Sequence, residues 1–376
     1  MSNAQARAWI EVNASALRAN FETIRARVGA RTAILPMVKA DGYGLGAAWV
    51  VRQLDPFKPW GYGVAAVSEG TALRAAGVRR PIVVFSPLTS QALAEAAHER
   101  LSIALSDLAS LQRWAGLAEQ SEFLDFHLEI DTGMGRAGFD WRETGVWSPA
   151  VRAFCSQHLR WTGVYTHFQG ADAAERATTA TQWERFHDAI AQLPVSRENL
   201  MVHAANSAAA LRWPEFAADA VRPGIFLYGG HPARNRPEVP APQAVAAVRA
   251  RVVLVRSVPP GTSVGYGATH AARAPETWAT IGIGYGDGLP RSLSNRGQAI
   301  VRGNRVKVIG RISMDLTVVD VTGVPGVQAG DEVTFIGRDG DEEITVDDVA
   351  AQAETISYEI LTGLTPRLPR LERANG

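Results

Sequence analysis

Eight short apolar runs, at residues 33–38, 61–67, 81–85, 101–105, 123–130, 162–167, 200–203 and 219–221, alternate with segments that are mostly long enough for a helix each. Strands separated in this way pair in parallel through right-handed crossovers. Eight such units have the size of a closed (β/α)8 barrel of TIM type. A doubly wound open sheet is the alternative, and the last unit is the shortest, because few residues separate Pro214 from Arg222. The segment 13–28 shows the helical pattern: Asn13 stands where an N-cap is wanted, Leu17, Phe21, Ile24 and Val28 form one stripe, and Gly29 can end it.

The texture changes after GGHPARNRPEVPAP, which holds four prolines and reads as a domain connection. Short β-rich runs follow at 245–255, 279–283, 299–301, 306–309, 316–321 and 332–336, with one helix at 346–353. The expected organisation is α/β: a barrel domain over 9–235 and a mostly β domain, barrel or sandwich, over 236–376.

Lys plus Arg and Asp plus Glu are 38 each, so no overall field draws the chain to nucleic acid or to a membrane surface. A small-molecule ligand is the expectation. The start, MSNAQARAWIEV, lacks the apolar run of a secretion signal, and no long uncharged apolar stretch follows. A soluble, cytoplasmic protein is expected. Cys155 is the single cysteine, which excludes an internal disulfide and a zinc site built on paired thiols, and no metal is expected.

In LPMVKADGYGLG, an apolar strand delivers Lys39 to its C-terminal end, ahead of a glycine-rich turn. The C-terminal strand ends of a (β/α)8 barrel converge on one mouth, where catalytic groups gather. Desolvation there lowers an ammonium pKa and makes the amine nucleophilic enough for Schiff-base chemistry. Arg136, His167, His203, Ser207 and Arg222 fall at the same kind of position. Each alone has a structural explanation, but together they suit a polyanionic cofactor and a carboxylate-bearing substrate in one pocket. The glycine spacing of DGYGLG is not a dinucleotide signature, which also needs an acidic residue some way downstream at the end of a second strand.

The segments VKADGYGLG, DTGMGRAGF, THFQGAD, HAANSAA, RPGIFLYG, VGYGATH, IGYGDGLPR, GRISMDLTVVDVT and ISYEILTGL occur in that order. From Trp9 to about Arg367 the chain thereby resembles the alanine racemases. The resemblance implies a barrel that carries pyridoxal 5'-phosphate, a following β domain, and a head-to-tail homodimer whose active sites draw on both subunits. It implies interconversion of L- and D-alanine. Lys39 matches the residue that holds the cofactor and serves as base on one face of the α-carbon, and Tyr266 the base on the other. Tyr43, Ser207, the amides of Gly224 and Ile225, and Tyr358 match the phosphate ligands. Arg222 matches the partner of the pyridine nitrogen, with His167 and His203 nearby. Arg136 and the Met314 amide match the substrate carboxylate ligands, Tyr285 narrows the entrance, and Asp315 orients its neighbours.

Two positions depart from the family pattern. Leu45 stands where many relatives have histidine, and Glu129 where many carry a carbamylated lysine. In FHLEID the alternation puts His127, Glu129 and Asp131 on one face, directed into the barrel. From there Glu129 is expected to hold Arg136 by an ion pair. The competing readings are a same-fold racemase of serine, lysine or a broad range, and a non-catalytic pyridoxal-phosphate carrier barrel, which the Tyr266-bearing domain disfavours. Fold relatives that decarboxylate basic amino acids use a β-domain cysteine, and metal-assisted lyases a histidine–cysteine pair; neither is present beyond residue 236.

Overall fold

The computed structural model describes residues 6–373 apart from Glu122 and Asn235. Asn235, the last residue of the expected barrel domain, and 374–376 therefore lie outside the described residues. Strand β1 (Ala8–Val12) leads into helix α1 (Ala14–Val28), which begins where Asn13 accepts a hydrogen bond from the Ala16 amide. It stops at Gly29, whose φ of 85° an L side chain rarely adopts.

Eight parallel strands follow: β2 (Ala33–Ile34), β3 (Tyr62–Val64), β4 (Ile82–Val84), β5 (Ser102–Leu105), β6 (Leu124–Asp131), β7 (Leu159–Tyr165), β8 (Met201–His203) and β9 (Ala220–Val221). Their order is β2-β9-β8-β7-β6-β5-β4-β3. A parallel bridge between Met37 and Gly63 joins the two ends, so the sheet closes into a barrel and the open-sheet alternative falls. The first run is expected as one strand over 33–38. It pairs only in pieces because Pro36 has no N–H to give, although its carbonyl still accepts from Gly63.

The second domain is a nine-stranded sheet in which β10 (Ala246–Val258) is central. Because β10 pairs with Glu276–Ile281 on one side and also with Glu332–Asp339, six strands form a closed ring, a barrel rather than a sandwich. Strand β1 lies on the barrel side of the sequence division, yet it pairs with β10 and with Arg370–Glu372. The chain thus enters and leaves through the second sheet. One continuous apolar core runs through both parts. Among the described residues no helix is long and apolar enough to cross a membrane.

Candidate active site

A cavity of about 330 Å³ opens at the C-terminal ends of the barrel strands. That lies within the roughly 300–1,000 Å³ typical of small-ligand sites. Among its lining are Lys39, Tyr43, Glu129, Arg136, His167, Ser207, Arg222, Gly224, Ile225 and Tyr358, all singled out from the sequence, together with Phe85, Tyr165 and Asn206, which were not.

Lys39 enters the cavity where the chain leaves the barrel wall. The next four residues, Ala40 to Tyr43, all have positive φ, a left-handed turn in which only Gly42 is conformationally free. The turn is held from outside: the Ala40 amide donates to Glu69 at 2.6 Å, and Asp41 accepts from the Ala47 amide at 2.8 Å. Burial lowers the Lys39 pKa, Arg136 and Arg222 push the same way, and Glu69 opposes them. The amine is therefore neutral over a wider range than a surface lysine's.

One end of the cavity is an array of hydrogen-bonding groups. The Gly224 amide donates to Ser207 Oγ at 2.8 Å, which leaves the hydroxyl proton free to point outward. A Cβ on Gly224 would stand 2.2 Å from Tyr43 Oη, so only glycine lets that phenol approach. Tyr43 stacks on Tyr228 with centroids 4.4 Å apart, and Tyr228 donates to the Met37 carbonyl at 2.7 Å. Burial pushes the Tyr358 phenol up to about 12, so it is present as a donor. Asn206 caps the helix Ser207–Arg212 through the Ala209 amide at 3.0 Å.

The cavity is also lined by Arg222, buried just after β9. It donates to the carbonyls of Thr166 at 2.9 Å and Ala204 at 3.1 Å, and its Nη atoms lie 2.7 Å from His203 Nδ1 and 3.3 Å from His167 Nδ1. Burial pulls its pKa down to about 10, still a cation at neutral pH. Burial, then the neighbouring Arg222, Arg136 and Lys39 charges, lower His167 to about 3, so it is neutral. His203 does not line the cavity and sits fully buried behind Arg222.

Glu129 is buried and points into the cavity, but no ion pair with Arg136 forms. Its carboxylate takes a hydrogen bond from Ser106 at 3.2 Å, and its register partner on β7 is Tyr165. The Ser106 hydroxyl, just past the end of β5, reaches it first, whereas Arg136 stands exposed on the loop after β6. Tyr266, Tyr285, Met314 and Asp315 do not line this cavity either. Tyr266 is 71% exposed in a turn between Gly265 and Gly267, and Met314 is 52% exposed. The Met314 and Ser313 carbonyls accept from Gly286 at 2.8 Å and Tyr285 at 3.0 Å, which clamps the two loops together, and Arg367 binds Asp315 at 2.6 Å. Tyr165 escapes a reading by alternation because the β6–β7 register shifts after Phe126: Trp161 stacks on Phe126, while Gly163 and Tyr165 face His127 and Glu129.

Comparison with known proteins agrees with this geometry. The N-terminal and C-terminal domain models of alanine racemase match residues 12–232 and 245–372. An alanine racemase of Synechocystis sp. is 39% identical over 97% of this chain and 98% of its own. The crystal structure of alanine racemase from E. faecalis superposes with a TM-score of 0.91 at 31% identity, covering 98% of each chain. That of alanine racemase from Bartonella henselae with covalently bound pyridoxal phosphate gives 0.89 at 30%, covering 98% of this chain and 100% of that one. With both domain models matched and the barrel, cavity and β ring in one chain, the protein belongs to the alanine racemase family.

Proposed function

We propose that this chain interconverts L- and D-alanine with pyridoxal 5'-phosphate, and that Lys39 and Tyr266 are its two bases. The observation that carries the reading is Lys39: an amine of lowered pKa at the mouth of a closed barrel, in one cavity with Arg136, Arg222 and an anion-binding array. The residues present fit the cofactor. Ser207 Oγ, the phenols of Tyr43 and Tyr358, and the amides of Gly224 and Ile225 suit its phosphate, and the missing Cβ of Gly224 makes that end compact.

When bound, pyridoxal phosphate supplies a carbonyl that condenses with amines and a ring that acidifies the substrate's α-hydrogen. Lys39 would hold it, and Lys39 Nζ would take or return the substrate's α-proton on one face. Tyr266 Oη does the same on the opposite face, as racemisation requires a proton donor on each side. Arg222 stays charged at neutral pH, so it would offer the cofactor's pyridine nitrogen a hydrogen bond without giving up a proton to it. Arg136 and the Met314 amide bind the substrate carboxylate, Tyr285 narrows the entrance, Asp315 steadies the Met314 loop, and His167 and His203 support Arg222. Glu129 supplies a fixed negative charge beneath the cations.

The reading includes a homodimer in the cytoplasm. Tyr266, Met314 and the 61% exposed Ile356 are outward-facing and outside their own chain's cavity, which supports their completing the site of a second copy. The single cysteine suits a reducing compartment. It also keeps the division into a cofactor barrel, 9–235, and a β domain, 236–376, with β1 contributed to the latter's sheet.

The test is decay of circular dichroism in separate L-alanine, L-serine and L-lysine solutions with added cofactor. Alanine should decay fastest. Faster serine or lysine decay points to a racemase of other range, and no decay in any solution overturns the reading. Lys39→Ala should abolish the visible absorption of the bound cofactor, and borohydride labelling at Lys307 instead would remove Lys39 from its role.

A further inference from the structure

Two imidazoles in series stand behind Arg222. Arg222 Nη1 is 2.7 Å from His203 Nδ1, and His203 Nε2 is 2.8 Å from His127 Nδ1. Both rings are fully buried. A guanidinium offers only donors, so His203 Nδ1 must accept and its proton must sit on Nε2. That N–H donates to His127, whose Nδ1 is therefore bare and whose own proton is on Nε2. His127 Nε2 has no hydrogen-bond partner among the described residues. One cation thus dictates the protonation of two rings in sequence, and the series ends in a buried donor left over. Burial, reinforced by the Arg222 charge, lowers His127 to about 3 and also depresses His203, so the neutral forms the series needs persist at neutral pH.

The barrel makes room for this arrangement. The register shift between β6 and β7 sets His127 opposite Gly163, and a Cβ there would lie 2.4–2.6 Å from three atoms of the imidazole. Tyr165, two residues on, stacks on His203 with centroids 5.0 Å apart and planes 9° apart, and Arg222 Cζ lies 4.9 Å from the Tyr165 centroid. The other rings facing the pair are Trp60, 6.0 Å from His127, and Phe85, 6.1 Å from His203.

We infer that His127 is a positioning residue: by accepting from the Nε2–H that Arg222 imposes on His203, it fixes the orientation of that ring, so that His203 Nδ1 holds the guanidinium against the cavity. The inference rests on the role proposed above for Arg222. Nitrogen-15 NMR of histidine-labelled holoenzyme reads the tautomers directly. Both His127 and His203 should be neutral and protonated at Nε2 between pH 6 and 8. A proton on His127 Nδ1, or a charged ring at either position, overturns the inference without any variant having to fold.

His127→Leu removes the acceptor, and His127→Asn returns a carbonyl oxygen near the place of Nδ1. His127→Leu should lower kcat by roughly tenfold, the order expected when one buried donor loses its acceptor. It should leave KM within about twofold, since Arg136 is untouched, and shift the absorption of the bound cofactor. His127→Asn should recover most of both. An unchanged kcat and spectrum in His127→Leu refutes the inference. A protein that takes up no pyridoxal phosphate would instead refute the proposed function, while the tautomers remain readable in the cofactor-free chain.

Discussion

Gly224→Ala perturbs the phosphate end of the cavity through a single methyl group. The added Cβ would stand 2.2 Å from Tyr43 Oη and 2.9 Å from its Cζ. To reach ordinary van der Waals contact the phenol must retreat by roughly 1.2 Å, and a misplacement of about 1 Å at a site can cost ~10²-fold in rate. Tyr43 cannot swing away cheaply, because it is buried and stacked on Tyr228, itself tied to the Met37 carbonyl. Overpacking of this kind costs about 1–3 kcal/mol of stability. Loss of the Tyr43 hydrogen bond to a charged phosphate costs about 1.5–3 kcal/mol, which is ~10- to 160-fold in cofactor Kd. Two assays separate these effects: thermal unfolding of the cofactor-free protein, and titration of that protein with pyridoxal phosphate. Tyr43→Phe supplies the control. It lacks the oxygen that clashes, so the alanine should do less additional damage in the Tyr43→Phe background than in the parent. Equal damage in both backgrounds, or an unchanged Tm and Kd in Gly224→Ala alone, would refute the contact.

Tyr266→Phe should keep the cofactor and slow racemisation in both directions by about 10²- to 10⁴-fold; solvent deuterium exchange should survive from one enantiomer only, and equal exchange from both would remove Tyr266 as the second base. Lys39 has a folded pKa below 10.5, so the folded protein binds fewer protons than the unfolded chain and the residue costs stability at neutral pH. Lys39→Met should therefore raise the Tm of the cofactor-free protein at pH 7, with the gain vanishing as pH rises through the lowered value toward 10.5. Asp287 is a buried carboxylate bound by Arg7 at 2.8 and 3.0 Å, by Arg367 at 3.3 Å and by the Gly284 amide at 3.0 Å. Asp287→Asn should cost about 2–4 kcal/mol in denaturant unfolding, less than a fully buried pair because both arginines keep substantial exposure. Glu129 carries its charge without modification, so activity should not respond to bicarbonate, and Glu129→Gln should raise KM for alanine through its effect on the cation cluster; a bicarbonate response in the parent protein would contradict this.

The site was legible where its residues stand at the C-terminal ends of strands. Lys39, His167, Ser207 and Arg222 could be assembled from the sequence alone because a parallel barrel brings those ends to one mouth. His127 and Tyr165 were not legible as a pair. Their meeting depends on the register shift that turns Gly163 and Tyr165 inward, and alternation along β7 alone puts Trp161 and Tyr165 on one face. The ion pair expected between Glu129 and Arg136 failed for a related reason. Strand periodicity gave the direction of Glu129, but Ser106, just beyond the end of the neighbouring strand β5, reaches it first.

Local chemistry in the sequence determined the elements. Asn13 and Gly29 bound the first helix, short β-rich runs mark β10 and its neighbours, and the helix Val346–Ala353 has the limits its pattern predicts. Each depends on residues close in the chain, where propensity, capping and hydrophobic period act. Tertiary structure alone decided the closure of the barrel through Met37 and Gly63, the recruitment of β1 into the second sheet, and the protonation of the imidazoles behind Arg222. These depend on pairings between residues far apart in sequence, and on burial, which sets the cost of every unpaired or charged group. No local pattern encodes either.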